Sequence, residues 1–204
     1  MKDKLLIIGA SGHGRVVSDV ALKMNKWKNI AFLDDGIINV THGLEVIGKS
    51  IEAEYYIEDY DIFVAIGTNA VRERFLERLE ALNASIPALV HPSASIGTRV
   101  DIKPGTVIMA NAVINSFTNI GKGCIINTGA TIDHDNVIHD YVHISPGANV
   151  AGTVEIGKGT WIGVGSAVSN NVNITSGCKI GAGTVVIKDI TEIGTYVGVP
   201  ARRV

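Results

Sequence analysis

Hydrophobic residues in the second half of the chain recur at every sixth position. From Val90 to Val186, seventeen consecutive members of this series are Ile or Val. A six-residue period is typical of a parallel β-helix, in which each hexapeptide forms one short strand and one corner. Three hexapeptides close one coil, so residues 18 positions apart are expected to lie above one another. Small or β-branched residues follow most members of the series by four positions: Thr106, Ala112, Thr118, Cys124, Ala130, Ala148, Thr160, Ser166, Cys178 and Thr184.

The first half follows a different pattern, in which short apolar runs alternate with helical periodicity. The runs predict strands at Lys4–Ile8, Ile30–Leu33 and Asp61–Ile66. Helical spacing follows the first and third runs, with the predicted buried faces Val16, Val17, Val20 and Ala21, and Val71, Phe75, Leu79 and Leu82. This alternation predicts an α/β unit, a small Rossmann-like parallel sheet, ahead of the β-helix.

Composition places the boundary between the two patterns after residue 84. Residues 1–84 hold 23 of the 38 charged residues and 7 of the 23 glycines, whereas residues 85–204 hold the other 15 and 16. We therefore expect one domain at 1–84 and a second at 85–204.

Charge and hydropathy exclude several classes of function. A net charge of −2 gives no electrostatic basis for binding nucleic acid. No apolar run approaches the ~20 residues that a membrane span requires. The two cysteines, Cys124 and Cys178, lie three coils apart, too far for a disulfide, and are predicted core residues. These features are typical of a cytoplasmic protein.

A polar cluster interrupts the hexapeptide series at Asp133-His134-Asp135-Asn136. In an 18-residue coil Gly152 lies above His134, and Trp161 lies above His143. A histidine oriented by an adjacent carboxylate, below a glycine whose N–H is exposed, offers a base and an oxyanion donor for acyl transfer. Two alternatives stay open: the histidines are merely solvated, or His134, His139 and His143 bind zinc as in β-helix carbonic anhydrases. The zinc alternative is disfavoured, because the residue two coils before His134 is Thr98.

The turn Gly9-Ala-Ser-Gly-His-Gly14 follows the first strand and precedes a helix. Helix-start N–H groups favour phosphate, and an acidic residue about twenty positions later, Asp34 or Asp35, is suited to a ribose or a base. The G-x-x-G-x-G spacing differs from the dinucleotide fingerprint, so a mononucleotide is favoured over NAD. A purely structural tight turn is the alternative.

Several motifs together resemble the sugar O-/N-acetyltransferase family that includes sialic-acid O-acetyltransferases and nucleotide-4-amino-sugar N-acetyltransferases. They are Ile8-Gly-Ala-Ser-Gly-His-Gly14, Phe32-Leu-Asp-Asp35, Ala65-Ile-Gly-Thr-Asn69, Leu89-Val-His-Pro92, Asp133-His-Asp135, His143-Ile-Ser-Pro-Gly147 and Val197-Gly-Val-Pro-Ala-Arg202. The resemblance implies a left-handed β-helix and a homotrimer that binds acetyl-CoA between neighbouring β-helices, with no metal. It implies a general base at His134 and a supporting acid at Asp135. The implied acetyl-CoA positions are Asn127, His143, Gly152, Val164 and Ala182, and the implied nucleotide-sugar positions are Ser11, Gly12, His13, Asp34, Asp35 and Gly67.

The favoured hypothesis is acetyl-CoA-dependent N-acetylation of the C4 amine of a nucleotide-linked 4-amino-4,6-dideoxy sugar in bacterial surface-glycan synthesis, with UDP favoured over GDP. Sugar O-acetylation of the sialic-acid type is the nearest alternative. A non-catalytic trimeric module that binds sugar nucleotides is the alternative from another class.

Overall fold

A computed structural model describes residues 2–36 and 43–204. The chain divides into two compact units, Met1–Pro92 and Ser93–Val204. The first unit therefore extends beyond residue 84. Within it, the Ile62 N–H donates to the Ser85 carbonyl at 2.8 Å, and the following strand carries the fully buried Leu89.

The first unit is an α/β unit with a four-stranded parallel sheet in the order β3-β2-β1-β4. Its elements are β1 Lys4–Ile8, α1 Gly12–Met24, β2 Asn29–Leu33, β3 Val46–Gly48, a 3₁₀ helix Ser50–Tyr56, β4 Asp61–Val64, α2 Asn69–Ala81 and β5 Leu89–Val90. Four consecutive residues of β1 are fully buried, as expected for a strand covered on both faces. The three predicted strands and both helices are present, whereas β3 and the 3₁₀ helix carry no apolar periodicity and were not predicted. Neither helix of the described residues is long and apolar enough to cross a membrane.

The buried face of α2 differs from the predicted one. Arg72, Leu76 and Leu79 are buried, whereas Leu82 is 37% exposed. Arg72 is tolerated there because its guanidinium donates to the carbonyls of Ile66 and Gly67, at 2.9 and 3.1 Å, just before the helix. Hydrophobic periodicity could not identify a buried residue that is charged.

The second unit is a left-handed parallel β-helix, which confirms both the parallel β-helix predicted from the hexapeptide period and the left hand that the family resemblance implied. Its strands are β6 Ser95–Ile96, β7 Asp101–Ile102, β8 Val107–Ile108, β9 Val113–Ile114, β10 Asn119–Ile120, β11 Ile125–Ile126, β12 Thr131–Ile132, β13 Val137–Ile138, β14 His143–Ile144, β15 Asn149–Val150, β16 Glu155–Ile156, β17 Trp161–Ile162, β18 Ala167–Val168, β19 Asn173–Ile174, β20 Lys179–Ile180, β21 Val185–Val186, β22 Thr195–Val197 and β23 Arg202–Arg203. Strands from successive coils pair in register at a separation of 18 residues, for example Ile120 with Ile138. Sheet 1 contains β6, β9, β12, β15, β18 and β21; sheet 2 contains β7, β10, β13, β16 and β19; sheet 3 contains β8, β11, β14, β17, β20 and β22, with β23 antiparallel to β22.

The predicted apolar series lines the interior of the prism. Every member from Ile108 to Val186 is at least 97% buried, whereas Ile96 on the first coil is 38% exposed. The small residues are also buried, and the hydroxyls of Thr106, Thr118, Thr160 and Ser166 donate to carbonyls of the next coil. The Thr106 hydroxyl also accepts from the Cys124 N–H. Both cysteines are buried free thiols.

Three edges join the sheets, and one residue per coil on each edge has a positive φ angle. We call the edge between sheets 1 and 2 the first edge, that between sheets 2 and 3 the second, and that between sheets 3 and 1 the third. Glycine dominates two of them: Gly105, Gly123, Tyr141, Gly159 and Gly177 on the second edge, and Asn111, Gly129, Gly147, Gly165 and Gly183 on the third. The first edge has no glycine at these positions, which are Arg99, Phe117, Asp135, Thr153 and Asn171.

Candidate active site

A histidine–aspartate pair lies on the first edge, between β12 and β13. His134 Nδ1 and Asp135 Oδ2 are 2.7 Å apart, and both side chains are more than half exposed. The pair is held by the coils on either side, because Asp135 N–H donates to the Ser116 carbonyl and Thr153 N–H donates to the His134 carbonyl. With Nδ1 donating to the carboxylate, Nε2 is the ring nitrogen left to accept a proton.

Two further polar residues fix the backbone of this corner. The Asp133 carboxylate accepts from the His134 N–H at 3.0 Å and from the Asn115 amide at 2.7 Å. Asn136 interrupts the small-residue column because its fully buried amide donates to the Asp133 carbonyl and accepts from the Val154 N–H. The break in the column signalled Asn136, but no sequence pattern pointed to Asn115.

The electrostatics of the corner favour a basic histidine. The hydrogen bond to Asp135, assisted by the charges of Asp133 and Asp135, raises the pKa of His134 above its ordinary value. Hydrogen bonds from Asn115 and from the His134 backbone lower the pKa of Asp133, which keeps that carboxyl ionised beside the imidazole.

Gly152 lies directly against the imidazole, one coil above it. A Cβ at this position would lie 2.7 Å from His134 Nε2, so any side chain here would displace the ring. The Gly152 N–H makes no hydrogen bond to any of the described residues. It is therefore available to a ligand oxygen.

A second polar group lies on sheet 3 and the third edge. The Asn127 amide nitrogen is 3.2 Å from His143 Nε2, and the His143 ring stacks on Trp161 at 5.5 Å between centroids, 4° from parallel. The Trp161 N–H donates to the buried Ser145 hydroxyl at 2.7 Å, which fixes the indole. Trp161 remains 45% exposed.

The structure does not bring all predicted acetyl-CoA positions together within one chain. Val164 and Ala182 are exposed on successive coils of the third edge, which also carries Asn127, and away from Gly152. Gly152 shares the first edge with His134. The full width of sheet 1 separates the two groups.

In the first unit, the glycine turn leaves an open surface at the start of α1. Ser11 is the N-cap, its exposed hydroxyl makes no capping bond, and a Cβ on Gly12 would meet nothing within 4 Å. By contrast, Gly14 packs so closely on the Gly9 carbonyl that a Cβ would overlap it. The turn therefore requires glycine at Gly14 for packing, and it leaves the N-terminus of helix α1 accessible.

The two acidic residues hold different segments: Asp34 supports the glycine turn, and Asp35 holds the start of the 3₁₀ helix. Asp34 accepts from the Ala10 N–H at 2.7 Å and from the Gly36 N–H at 2.9 Å. Asp35 accepts from the Ser50 N–H at 3.0 Å. Gly67 is exposed, and its carbonyl is anchored by Arg72.

His13 is half-buried between these segments. Its Nε2 is enclosed and has no hydrogen-bond partner among the described residues. Burial, followed by the positive charge of Arg72, lowers the pKa of His13 to about 4. The imidazole is therefore neutral at physiological pH.

The histidines proposed as zinc ligands each have a different partner. His139 pairs with Glu155 at 2.8 Å, while His134 pairs with Asp135 and His143 stacks on Trp161. Within residues 2–36 and 43–204 no group of three or more His, Cys, Asp or Glu side chains is placed to hold a metal ion.

Known proteins are similar to each part of the chain. Residues 4–79 match the family model of the PglD N-terminal domain. Over 108 residues the chain is 38% identical to a UDP-N-acetylbacillosamine N-acetyltransferase of Bacillus subtilis, a match that spans 51% of this chain and 50% of that protein. The match thus covers about half the length of this curated relative.

Solved structures extend the similarity to the whole chain. The acetyltransferase domain of PglB from Neisseria gonorrhoeae is 38% identical, with 100% of both chains covered and a TM-score of 0.98. A structure of that domain in complex with acetyl coenzyme A superposes with a TM-score of 0.97 at 37% identity, again over 100% of both chains. PerB from Caulobacter crescentus, solved with CoA and GDP-perosamine, is 32% identical over 98% of this chain and 96% of its own, with a TM-score of 0.93. Identity of this level over the full length, on a shared two-part architecture, means that the chain belongs to the PglD-like family of hexapeptide-repeat acetyltransferases.

Proposed function

We propose that the protein transfers the acetyl group of acetyl-CoA to the C4 amine of a nucleotide-linked 4-amino-4,6-dideoxy sugar. The observation that carries this proposal is the His134–Asp135 pair, whose Nε2 lies against Gly152 of the next coil. The names of the similar proteins support the substrate class: an N-acetyltransferase of a UDP-linked sugar and a protein bound to CoA and GDP-perosamine. We favour a UDP-linked acceptor, the nucleotide in the name of the Bacillus subtilis relative. The same proposal includes a role in bacterial surface-glycan synthesis and a cytoplasmic location, where acetyl-CoA is available.

The corner residues can perform the reaction without a covalent enzyme intermediate. The neutral sugar amine attacks the thioester carbonyl, and His134 Nε2 takes the proton that the nitrogen loses as the C–N bond forms. Asp135 stabilises the resulting imidazolium, and the Gly152 N–H donates to the oxyanion. Collapse of the tetrahedral intermediate breaks the C–S bond and releases CoA, whose thiolate receives a proton from His134 or solvent. Cys124 and Cys178 are buried and take no part.

The separation of the two polar groups supports a homotrimer. In one chain, His134 and Gly152 lie on the first edge, whereas Asn127 and His143 lie across sheet 1 from them. A single acetyl group cannot contact both. We propose that the His134 edge of one copy faces the Asn127–His143 group of a neighbouring copy, with acetyl-CoA between them, and that Val164 and Ala182 contact the donor.

The acceptor nucleotide is proposed to bind the first unit. The open N-terminus of α1 offers Ser11 and the N–H groups of Gly12 and His13 to phosphate, and no acidic residue lies in its first turn. Neutral His13 can share a hydrogen bond with the ligand without adding charge. We propose that Asp35 and the exposed backbone at Gly67 contact the base or ribose.

Thiol release from acetyl-CoA tests the proposal directly. Purified protein is offered UDP- and GDP-linked 4-amino-4,6-dideoxy sugars and free sialic acid, with an acceptor-free reaction as the control for hydrolysis. We expect rapid release with the UDP-linked amino sugar and a product whose mass shows one acetyl group. Release with sialic acid alone would move the activity to O-acetylation, and release with no acceptor would contradict the proposed function.

A further inference from the structure

The first edge differs from the two glycine-rich edges because every one of its positive-φ positions carries a side chain. A side chain at positive φ is unfavourable for L-residues, and Asn and Asp are the ones that tolerate it best. Asp135 and Asn171 belong to this tolerant class. Phe117 does not, yet it adopts a φ of 63°, where the equivalent positions of neighbouring edges are Gly123 and Gly129. Strained positions of this kind concentrate at functional sites.

Phe117 is also exposed. Its side chain is 49% accessible, so burial in the core does not explain why an aromatic residue is kept in a strained conformation. Arg99, the equivalent residue one coil earlier, also has positive φ and places its guanidinium carbon 5.4 Å from the centroid of the Phe117 ring. This cation–π contact fixes the orientation of the ring on the surface.

Phe117 lies immediately beside the catalytic pair. Asp135 is the equivalent residue of the next coil, and its N–H donates to the carbonyl of Ser116 at 3.1 Å. The coil of Phe117 also supplies Asn115, which binds Asp133. The backbone of Phe117 is therefore one inter-coil spacing, about 4.8 Å along the helix axis, from that of Asp135.

The two substrates must reach His134 from different directions. Of the proposed donor positions, Gly152, Val164 and Ala182 lie on coils that follow His134, whereas Asn127 and His143 lie within half a coil of it along the chain. The acceptor amine then approaches from the preceding coils, where Phe117 and Arg99 project from the same edge. This step rests on the proposed function.

We infer that Phe117, held in place by Arg99, is a specificity-determining residue that forms an apolar platform for the acceptor sugar. A pyranose ring presents C–H groups on one face, and a 6-deoxy sugar adds a methyl group at C5. An aromatic face packs favourably on both and gains less from a hydroxymethyl group, which prefers water. The platform therefore favours 6-deoxy sugars over their 6-hydroxy counterparts.

Phe117→Gly tests the inference, because it removes the ring and relieves the backbone at the same time. We expect the acceptor KM to rise about tenfold and the preference for the 6-deoxy acceptor to fall, with the acetyl-CoA KM unchanged. The midpoint of thermal unfolding should stay the same or rise. Phe117→Tyr keeps the ring and should restore the acceptor KM. Asn111→Gly, which changes a positive-φ position on the third edge, is the matched control and should leave both KM values unchanged.

Three results would overturn the inference. An unchanged acceptor KM in Phe117→Gly would show that the ring does not contact the sugar. A lower unfolding temperature or a changed oligomeric mass would assign Phe117 to packing, within the chain or between copies. A loss that Phe117→Tyr does not rescue would show that the ring is not the recognised group. These results are distinct from failure of the proposed function, in which the wild-type protein itself would acetylate no amino-sugar nucleotide.

Discussion

His13 in the first unit and His134 in the second show how two environments set one side chain to opposite states. His13 is half-buried near Arg72, and its pKa is lowered to about 4. His134 is exposed on a corner between two carboxylates, and its pKa is raised. Burial and a cation favour the neutral imidazole, whereas a hydrogen-bonded carboxylate favours the imidazolium. Of the two, only His134 is suited to take a proton during the reaction, and His13 is suited to contact a ligand without changing charge.

Replacing the basic histidine should give the largest effect. His134→Ala removes the imidazole that lies against Gly152 and would accept the amine proton, so we expect kcat to fall about 10³-fold. His139→Ala is a close control, because His139 is also an exposed histidine paired with a carboxylate, Glu155, at 2.8 Å. Its turnover should match the wild type. Equal rates for His134→Ala and His139→Ala would remove His134 from the mechanism.

Asp135→Asn should give a smaller effect, with a change in pH dependence. Asn tolerates the positive φ of 57° and can accept the Nδ1 hydrogen bond, so the substitution removes little besides the charge. In the wild type, the raised pKa of His134 moves the acid limb of kcat/KM to higher pH than an ordinary histidine would give, because the base must be neutral. Without the carboxylate this limb should move to lower pH, and the plateau rate should fall about tenfold because the imidazolium is less stabilised.

Glu155→Gln makes the equivalent change next to His139 and should leave the pH profile unaltered. An acid limb that stays in place in Asp135→Asn would mean that Asp135 orients the imidazole without tuning its pKa.

The regular part of the fold was readable from the sequence because one physical requirement repeats. Each coil must fill the same prism, so the apolar series specified the strands, the stacking of Gly152 on His134 and that of Trp161 on His143. The same reasoning could not reveal Asn115 or Arg72. Asn115 acts through Asp133, its neighbour one coil later. Arg72 is a buried charge that donates to carbonyl groups. Neither role produces a repeating pattern in the sequence.

The glycine turn shows a related limit. Its sequence alone left a structural and a ligand-binding role open, and the structure shows that different glycines serve different ends: Gly14 is required by contact with Gly9, whereas Gly12 leaves free space. Likewise, Asp34 was identified as a candidate ligand of the substrate, but its carboxylate already bonds two backbone N–H groups. Local motifs identify the residues that form a turn. Their packing in the structure then shows which of them support the turn and which leave room for a ligand.

The smallest predicted effect concerns stability. His13 has a pKa of about 4 in the folded chain and about 6.5 when unfolded, so between these values the unfolded state binds more protons and acid favours unfolding. At pH 5.5 this lowers the free energy of unfolding by about 1.4 kcal/mol relative to pH 8. His13→Gln should lose that contribution, so the difference in unfolding free energy between the two pH values should shrink by this amount. Urea unfolding followed by the fluorescence of buried Trp27, in a Trp161→Phe background, reports on the first unit. Comparing each protein at pH 5.5 with itself at pH 8 removes any effect of the substitution that does not depend on pH. An identical pH dependence of the unfolding free energy in both proteins would mean that His13 is not held neutral by its surroundings.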